Sequence, residues 1–166
     1  IVQKHKIQFR ASALECMDLL SKNHIPILIL SAGLGDIIQE LLKSENKLTL
    51  NLHLISNFYI FNEQGTVVGK KNDTFIHTFN KNEVEVKKSS YYKEIKERKN
   101  VLLLGDSLGD LGMSEGIEHE CIIRVGFLNE NKEELLEKYM DAFDIVITDD
   151  GDMEYVQEMV EEILRN

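Results

Sequence analysis

Short apolar runs alternate with mixed apolar and polar segments along the chain. Residues 27–30 and 101–104 are each four aliphatic residues in a row, the pattern of a fully buried strand. Shorter strands are predicted at residues 52–55, 121–125 and 145–147, and a hairpin at 58–69. Helices are predicted at residues 13–20, 37–42, 91–98, 133–139 and 155–164. Strands that alternate with helices favour an α/β fold, a Rossmann-like parallel sheet with helices on both faces.

Two glycine-bearing segments follow the two most apolar strands. Ser31, Ala32 and Gly33 come after residues 27–30, and the motif Gly-Asp-Ser-Leu-Gly-Asp occupies residues 105–110 after the second strand. In open parallel sheets, ligands bind outside the carboxyl ends of the strands. Both segments are therefore predicted to lie at the ligand-binding edge of the sheet.

The second segment carries two carboxylates four residues apart, Asp106 and Asp110. Magnesium prefers oxygen ligands and takes few of them from protein, so such a pair is suited to a Mg²⁺ site. Gly105 is expected to allow a sharp turn, and Gly109 to allow close approach. The alternative is that Asp106 only caps the next helix, a common role for aspartate.

The first segment offers a hydroxyl and backbone N–H groups. A helix is predicted to follow, at residues 37–42, and backbone N–H groups at its N-terminus together with the Ser31 hydroxyl would form an anion-binding cradle. The alternative is that Ser31 is an ordinary helix cap.

Charge and cysteine content narrow the function classes. Asp and Glu outnumber Lys and Arg by 29 to 19, a net charge of −10, which disfavours nucleic acid polymers and anionic membranes as partners. An anionic substrate then needs a local positive charge, most simply a divalent cation.

The cysteines, Cys16 and Cys121, are interpreted as two buried, reduced thiols of a cytoplasmic protein. No apolar run reaches the roughly eighteen residues of a membrane helix, and no secretory signal opens the chain.

The order of these motifs resembles the haloacid dehalogenase superfamily. Ser31, then Lys81, then Gly-Asp-x-x-x-Asp at 105–110 are similar to its motifs II, III and IV. Longer blocks resemble the cytosolic type III (pyrimidine) 5′-nucleotidases of that superfamily, at residues 25–36, 56–58, 76–81, 103–111, 126–129 and 134–141. The resemblance covers almost the whole chain and implies a haloacid-dehalogenase-like core. A phosphatase for phosphoserine would share the motifs but not blocks 56–58 and 134–141.

The resemblance implies a magnesium-dependent hydrolase of nucleoside 5′-monophosphates, chiefly UMP and CMP, or 7-methylguanosine monophosphate in a sister branch. An aspartate attacks phosphorus to form an aspartyl-phosphate, and a second aspartate protonates the leaving nucleoside and then activates water. Lys81 would bridge phosphate and nucleophile, Asp106 would bind Mg²⁺ and Asp110 would support the metal site. The implied phosphate-binding residues are Ser31, Ala32 and Gly33.

The nucleophile motif of that family, Asp-x-Asp-x-Thr/Val, is not found upstream of Ser31. The thirty preceding residues contain one aspartate, Asp18. One Asp-x-Asp occurs at residues 150–152, but Glu154 takes the place of Thr or Val, so a turn is the preferred interpretation and a permuted nucleophile the alternative.

We therefore expect a C-terminal part of a longer protein, with the helical cap mostly missing. Residues 1–10 would be the tail of the cap and residues 11–166 the core, with an N-terminal fragment of the same protein as partner. The chain alone is expected to be inactive. The alternative is a complete, non-catalytic module that binds phosphate and metal.

Overall fold

The computed structural model describes residues 7–71, 75–77, 80–81, 91–115 and 118–165. They form two compact units, Ile1–His77 with Glu154–Asn166, and Thr78–Met153. Each unit is described by itself. Residues 1–6 of the predicted cap tail, and Thr78 and Phe79 of the block at 76–81, lie outside the described residues. The predicted boundary between residues 10 and 11 stays a prediction.

In its described residues, the first unit combines a parallel strand pair, a hairpin and three helices. Its elements are α1 (Ala13–Lys22), β1 (Ile27–Leu34), α2 (Gly35–Ser44), β2 (Leu52–Asn57), β3 (Tyr59–Phe61), β4 (Val67–Lys70) and α5 (Glu154–Arg165). Strands β1 and β2 pair in parallel, and β3 and β4 pair antiparallel. The predicted hairpin turn is confirmed: Asn62 Oδ1 accepts the N–H groups of Gln64 and Thr66, and Gly65 has a φ of 75°, which glycine adopts without strain.

The described part of the second unit is a three-stranded parallel sheet with helices. Its elements are α3 (Tyr92–Ile95), β5 (Asn100–Gly105), the 3₁₀ helix η1 (Leu108–Ser114), β6 (Cys121–Leu128), α4 (Lys132–Ala142) and β7 (Ile145–Thr148). The strand order is β5-β6-β7, all parallel. Its core is built from β5, β6, α4 and the residue that follows α4, namely Leu103, Leu128, Tyr139 and Phe143.

The sequence-based fold class is confirmed: parallel strands alternate with helices in both units. One cysteine prediction is wrong. Both thiols are free, but only Cys16 is buried, on the core-facing side of α1; Cys121 is exposed because it is the first residue of β6, at the end of the sheet. Within the described residues, no helix is long and apolar enough to cross a membrane.

Candidate active site

Asp110 connects the end of β5 to the start of η1. The residue is buried, with 2% of its surface exposed. Oδ1 accepts a hydrogen bond from Lys81 Nζ at 2.8 Å, and Oδ2 accepts the backbone N–H groups of Asp106 and Ser107, each at 3.0 Å. A carboxylate with three donors is well satisfied in spite of its burial.

Gly105 makes room for this arrangement. A Cβ at Gly105 would lie 2.6 Å from the Cβ of Asp110, a distance that two carbon atoms cannot share. The φ of Gly105 is not in the positive range, so its own backbone conformation does not require glycine, and the expected sharp turn stays a prediction. Glycine at the end of β5 is therefore explained by close packing.

The electrostatics of Asp110 keep it ionised. Burial raises the pKa of this carboxyl, but the hydrogen bond and charge of Lys81, with the two backbone N–H donors, outweigh burial and leave the pKa below its ordinary value. Lys81 and Asp110 therefore form an ion pair with little access to solvent.

Asp106 lies directly after β5 in a different environment. Its residue is exposed at the surface. Desolvation by the surrounding protein, followed by the hydrogen bond and negative charge of Asp110, raises the pKa of Asp106 in spite of the charge of Lys81. The two carboxylates thus have different roles: Asp110 is committed to Lys81 and the backbone, and Asp106 lies beside it with its carboxylate nearer to solvent.

The helix-cap interpretation of Asp106 is wrong. The N-terminal cap of η1 is Ser107, and its capping-box partner is Asp110. Asp106 instead has its backbone carbonyl bound by the hydroxyl of Tyr139, at 2.7 Å. Burial, and then the charges of Asp106 and Asp110, raise the pKa of Tyr139, which keeps the phenol protonated as a donor.

An open cavity of about 390 Å³ lies beside Asp106. It is lined by five polar residues, Asp106, Asn129, Glu130, Asn131 and Tyr139, and by three apolar residues, Phe127, Leu128 and Leu135. Asp106 follows β5, Phe127 and Leu128 are the last residues of β6, residues 129–131 follow β6, and Leu135 and Tyr139 lie on α4. The cavity is therefore at the carboxyl ends of β5 and β6, the edge at which parallel sheets bind ligands.

The segment Ser31–Gly33 is a bulge in strand β1 of the first unit. Strand β1 continues through this segment to Leu34, and α2 begins at Gly35, two residues before the start predicted for this helix. Leu30 pairs with Ile55 and Leu34 with Asn57, so three residues of β1 lie opposite one residue of β2. Bulges of this kind re-aim backbone groups and are frequent next to active sites.

Two buried polar residues of β2 hold the bulge. The hydroxyl of Ser56 donates to the carbonyl of Gly33, and Nδ2 of Asn57 donates to the carbonyl of Ala32, both at 2.9 Å. In a trans peptide the C=O and N–H groups point in opposite directions. Fixing the carbonyls of Ala32 and Gly33 therefore also fixes the N–H groups of the residues that follow them, Gly33 and Leu34. One of them, Gly33 N–H, donates to Ser31 Oγ at 3.1 Å.

Asn57 also connects β2 to the segment at residues 75–77. Its Nδ2 donates to the carbonyl of Ile76 at 2.9 Å, and its Oδ1 accepts the N–H of Ile76 at 2.8 Å. The side chain is 3% exposed. In the sequence, residues 56–58 were recognised only as a block that resembles the family, and the role of Asn57 was not predicted. Its signal was a polar pair at the end of an apolar strand.

Replacing Asn57 with aspartate should destabilise the fold strongly. The carboxylate cannot donate to the carbonyls of Ala32 and Ile76, and it places a charge against two buried oxygens. We expect a loss of about 3 kcal/mol or more in the free energy of unfolding, measured by chemical denaturation. The control is Asn46→Asp, the same change at an exposed residue with a φ of 56°, which aspartate also tolerates. Equal stability of the two variants would refute the role of Asn57.

The Asp-x-Asp at residues 150–152 belongs to a turn. Asp149 and Asp150 have φ of 60° and 53°, and Gly151 N–H donates to the carbonyl of Thr148 at 3.0 Å, which defines a type I′ turn. The carboxylate of Asp149 pairs with Lys132 at 2.6 Å and accepts the Thr148 hydroxyl at 2.7 Å. The turn interpretation of this segment agrees with the structure.

Each unit thus gathers part of the predicted site. Lys81, Asp106 and Asp110 lie together in Thr78–Met153, and the predicted phosphate-binding segment Ser31–Gly33 lies in the other unit. Among the residues that the structure describes, no group of three or more His, Cys, Asp or Glu side chains forms a metal site. The functional roles of these residues stay predictions.

The chain is an α/β protein in which a buried lysine–aspartate pair lies beside the end of strand β5 and a bulge of β1 is held by polar side chains of β2. The family model for pyrimidine 5′-nucleotidase (UMPH-1) matches residues 1–164. The chain belongs to the pyrimidine 5′-nucleotidase family.

Named relatives agree with this assignment. The chain is 41% identical over 149 residues to a 7-methylguanosine phosphate-specific 5′-nucleotidase of Rattus norvegicus, covering 89% of this chain and 49% of the relative. It is 38% identical over 165 residues to the Homo sapiens protein of that name, covering 99% and 55%. The crystal structure of cytosolic 5′-nucleotidase IIIB bound to cytidine matches with a TM-score of 0.82 and 36% identity, covering 94% of this chain and 53% of that one. The chain spans about half the length of the curated relatives it matches.

Proposed function

We propose that the protein containing this chain hydrolyses nucleoside 5′-monophosphates to nucleoside and phosphate with the help of Mg²⁺. The observation that carries the proposal is the cluster of Lys81, Asp106 and Asp110 at the carboxyl end of β5, in a chain of the pyrimidine 5′-nucleotidase family. Such a cluster provides one fixed positive charge and one carboxylate near solvent. The positive charge, and a cation bound by the carboxylate, would stabilise the negative charge that develops during phosphoryl transfer.

The residues of the cluster would divide the work. Lys81, held by Asp110, would offset negative charge that develops on the phosphoryl group. Asp110 would fix both Lys81 and the backbone of Asp106. The phosphate would be bound at the bulge by Ser31, Ala32 and Gly33, whose peptides are oriented by Ser56 and Asn57.

The residues present fit a magnesium ion. Asp106 offers a carboxylate beside an open, largely polar cavity, and Mg²⁺ in phosphoryl-transfer sites is bound by one or two carboxylates, with water and substrate phosphate as other ligands. The absence of a closed cluster of three ligands among the described residues is compatible with such a site. When bound, Mg²⁺ would polarise a phosphoryl oxygen.

The attacking group would be an aspartate that forms an aspartyl-phosphate. The one Asp-x-Asp in the sequence is the turn at residues 150–152, so this aspartate would come from sequence beyond the 166 residues. Because the one Asp-x-Asp of the sequence lies in a turn, the sequence also favours a second candidate function. In that function the chain is a non-catalytic module that binds phosphate and metal but hydrolyses no substrate.

The substrates we propose are UMP and CMP, with 7-methylguanosine monophosphate as the alternative suggested by the names of the rat and human relatives. A cytoplasmic location is proposed from the name of the cytosolic structural relative.

An assay of phosphate release tests the proposal. We expect the whole protein to release phosphate from at least one of these three nucleotides when Mg²⁺ is present, and to stop when EDTA removes it. The matched sample is the 166-residue chain alone, which should release none. Turnover by the chain alone would indicate a nucleophile at Asp150 or Asp152. No release from any nucleotide by the whole protein would favour the non-catalytic module.

A further inference from the structure

We propose that Tyr139 is a positioning residue for Asp106: its hydroxyl fixes the peptide that presents the Asp106 carboxylate to Mg²⁺. The inference rests on the proposed function, because it takes Asp106 as the metal ligand. Its starting point is the hydrogen bond from the Tyr139 hydroxyl to the Asp106 carbonyl, at 2.7 Å. Nothing in the sequence pattern points to this contact, since the two residues are 33 positions apart.

The peptide between Asp106 and Ser107 is held at both of its polar groups. Tyr139 binds its carbonyl, and Asp110 Oδ2 accepts its N–H at 3.0 Å. The same Asp110 oxygen accepts the N–H of Asp106 at 3.0 Å. The backbone on both sides of the Asp106 Cα is therefore fixed, and the direction of its side chain is limited to the choice of rotamer.

Tyr139 is itself firmly held. Its side chain is 5% exposed and stacks on Phe143, with ring centroids 5.2 Å apart. The Phe143 ring in turn lies against the backbone of β6, where a Cβ at Gly126 would be 2.7 Å from it. Because the Tyr139 ring is already fixed, its hydroxyl can orient the Asp106 carbonyl before a metal binds. The Tyr139 side chain then loses no further conformational entropy on metal binding.

Tyr139 also has an ordinary structural role, since it belongs to the core of its unit together with Leu103, Leu128 and Phe143. The variant Tyr139→Phe separates the two roles, because it keeps the ring and the stack and removes only the hydroxyl. The control is Phe143→Leu, which weakens the same stack and leaves the hydroxyl in place.

The test is calorimetric titration of the metal-free whole protein with Mg²⁺, without substrate, together with thermal unfolding. We expect Tyr139→Phe to weaken Mg²⁺ binding about three- to tenfold, the factor that one lost hydrogen bond corresponds to. Phe143→Leu should lower the melting temperature more than Tyr139→Phe does, and should change the Mg²⁺ affinity less.

The outcomes separate this inference from the function on which it rests. Normal Mg²⁺ affinity in Tyr139→Phe, with lost affinity in Asp106→Asn, would overturn the role of Tyr139 and leave the proposed site intact. Mg²⁺ affinity that follows the melting temperature across both aromatic variants would show a structural role only, and would also overturn the inference. No Mg²⁺ binding by the wild-type protein would overturn both proposals.

Discussion

Replacing Asp106 with asparagine is expected to abolish magnesium-dependent phosphate release by the whole protein. The amide has nearly the same shape as the carboxylate but lacks its charge, so it is a poor ligand for a hard divalent cation. We expect turnover to fall on the order of 10³-fold or more, since a metal contributes several kcal/mol of transition-state stabilisation. The measurement is phosphate release as a function of Mg²⁺ concentration, with calorimetric titration of Mg²⁺ as an independent readout.

The fold should survive this substitution. The backbone of Asp106 is held by the N–H bond to Asp110 and by the bond from Tyr139 to its carbonyl, and these bonds do not depend on the side chain. The side-chain hydrogen bond to Asp110 can also be donated by the asparagine amide. The change also removes a negative charge beside Asp110, so unfolding stability should be unchanged or slightly higher. The control is Asp141→Asn on helix α4, an exposed aspartate in the same unit, which should leave turnover unchanged. Normal turnover and normal Mg²⁺ affinity in Asp106→Asn would remove Asp106 from the site.

The elements of the fold were predictable because their signals are local. Four aliphatic residues in a row at 27–30 and 101–104 predicted two fully buried strands. Both runs lie in observed strands, but only Leu30 and Leu103 are buried and the other residues of the runs are partly exposed. The spacing of Asp106 and Asp110 predicted two carboxylates near one strand end, and the structure places them there. The sequence did not show that Asp110 would use its carboxylate in hydrogen bonds within the protein, or that Asp106 would be the carboxylate nearer to solvent.

The missed features depend on partners far away in the chain. Whether β1 ends at Leu30 or bulges and continues is decided by Ser56 and Asn57, which are more than twenty residues away and provide the donors for the bulged carbonyls. In the same way, Asp106 was a predicted cap of the next helix, but Ser107 and Asp110 form the cap of η1. Asp110 can be buried in this role because Lys81 compensates its charge. Periodicity reports local backbone preference and carries no information about such pairings.

Lys81→Met should have the other large effect, on activity and on stability together. Methionine keeps the length and apolar character of the stem and removes the charge. Loss of one preorganised positive group from the site should lower turnover about 10²- to 10³-fold. Asp110 would be left as a buried carboxylate without its cation, which costs about 3 to 5 kcal/mol of unfolding free energy. Turnover and urea denaturation measure the two effects.

A surface ion pair provides the control. Lys43 is paired with Glu40, and both side chains are more than half exposed, so Lys43→Met should cost less than about 1 kcal/mol and leave turnover unchanged. A second variant, Lys81→Met with Asp110→Asn, removes the uncompensated charge and should recover part of the stability but none of the activity. Equal losses of stability in Lys81→Met and Lys43→Met would contradict the structural role of Lys81.

The effect of Lys81→Met on stability should also depend on pH. In the folded wild type the pKa of Asp110 is below its ordinary value of 3.8. Its contribution to stability is therefore complete above about pH 4 and is lost as the pH falls through the lowered folded pKa. In Lys81→Met, burial acts on Asp110 without the opposing lysine, and its pKa rises. The difference in unfolding free energy between wild type and variant should therefore be largest near neutral pH and should shrink in acid as Asp110 becomes protonated in both proteins. A difference that stayed constant from pH 7 to pH 3 would mean that the loss comes from packing of the lysine stem, and that the buried ion pair contributes little.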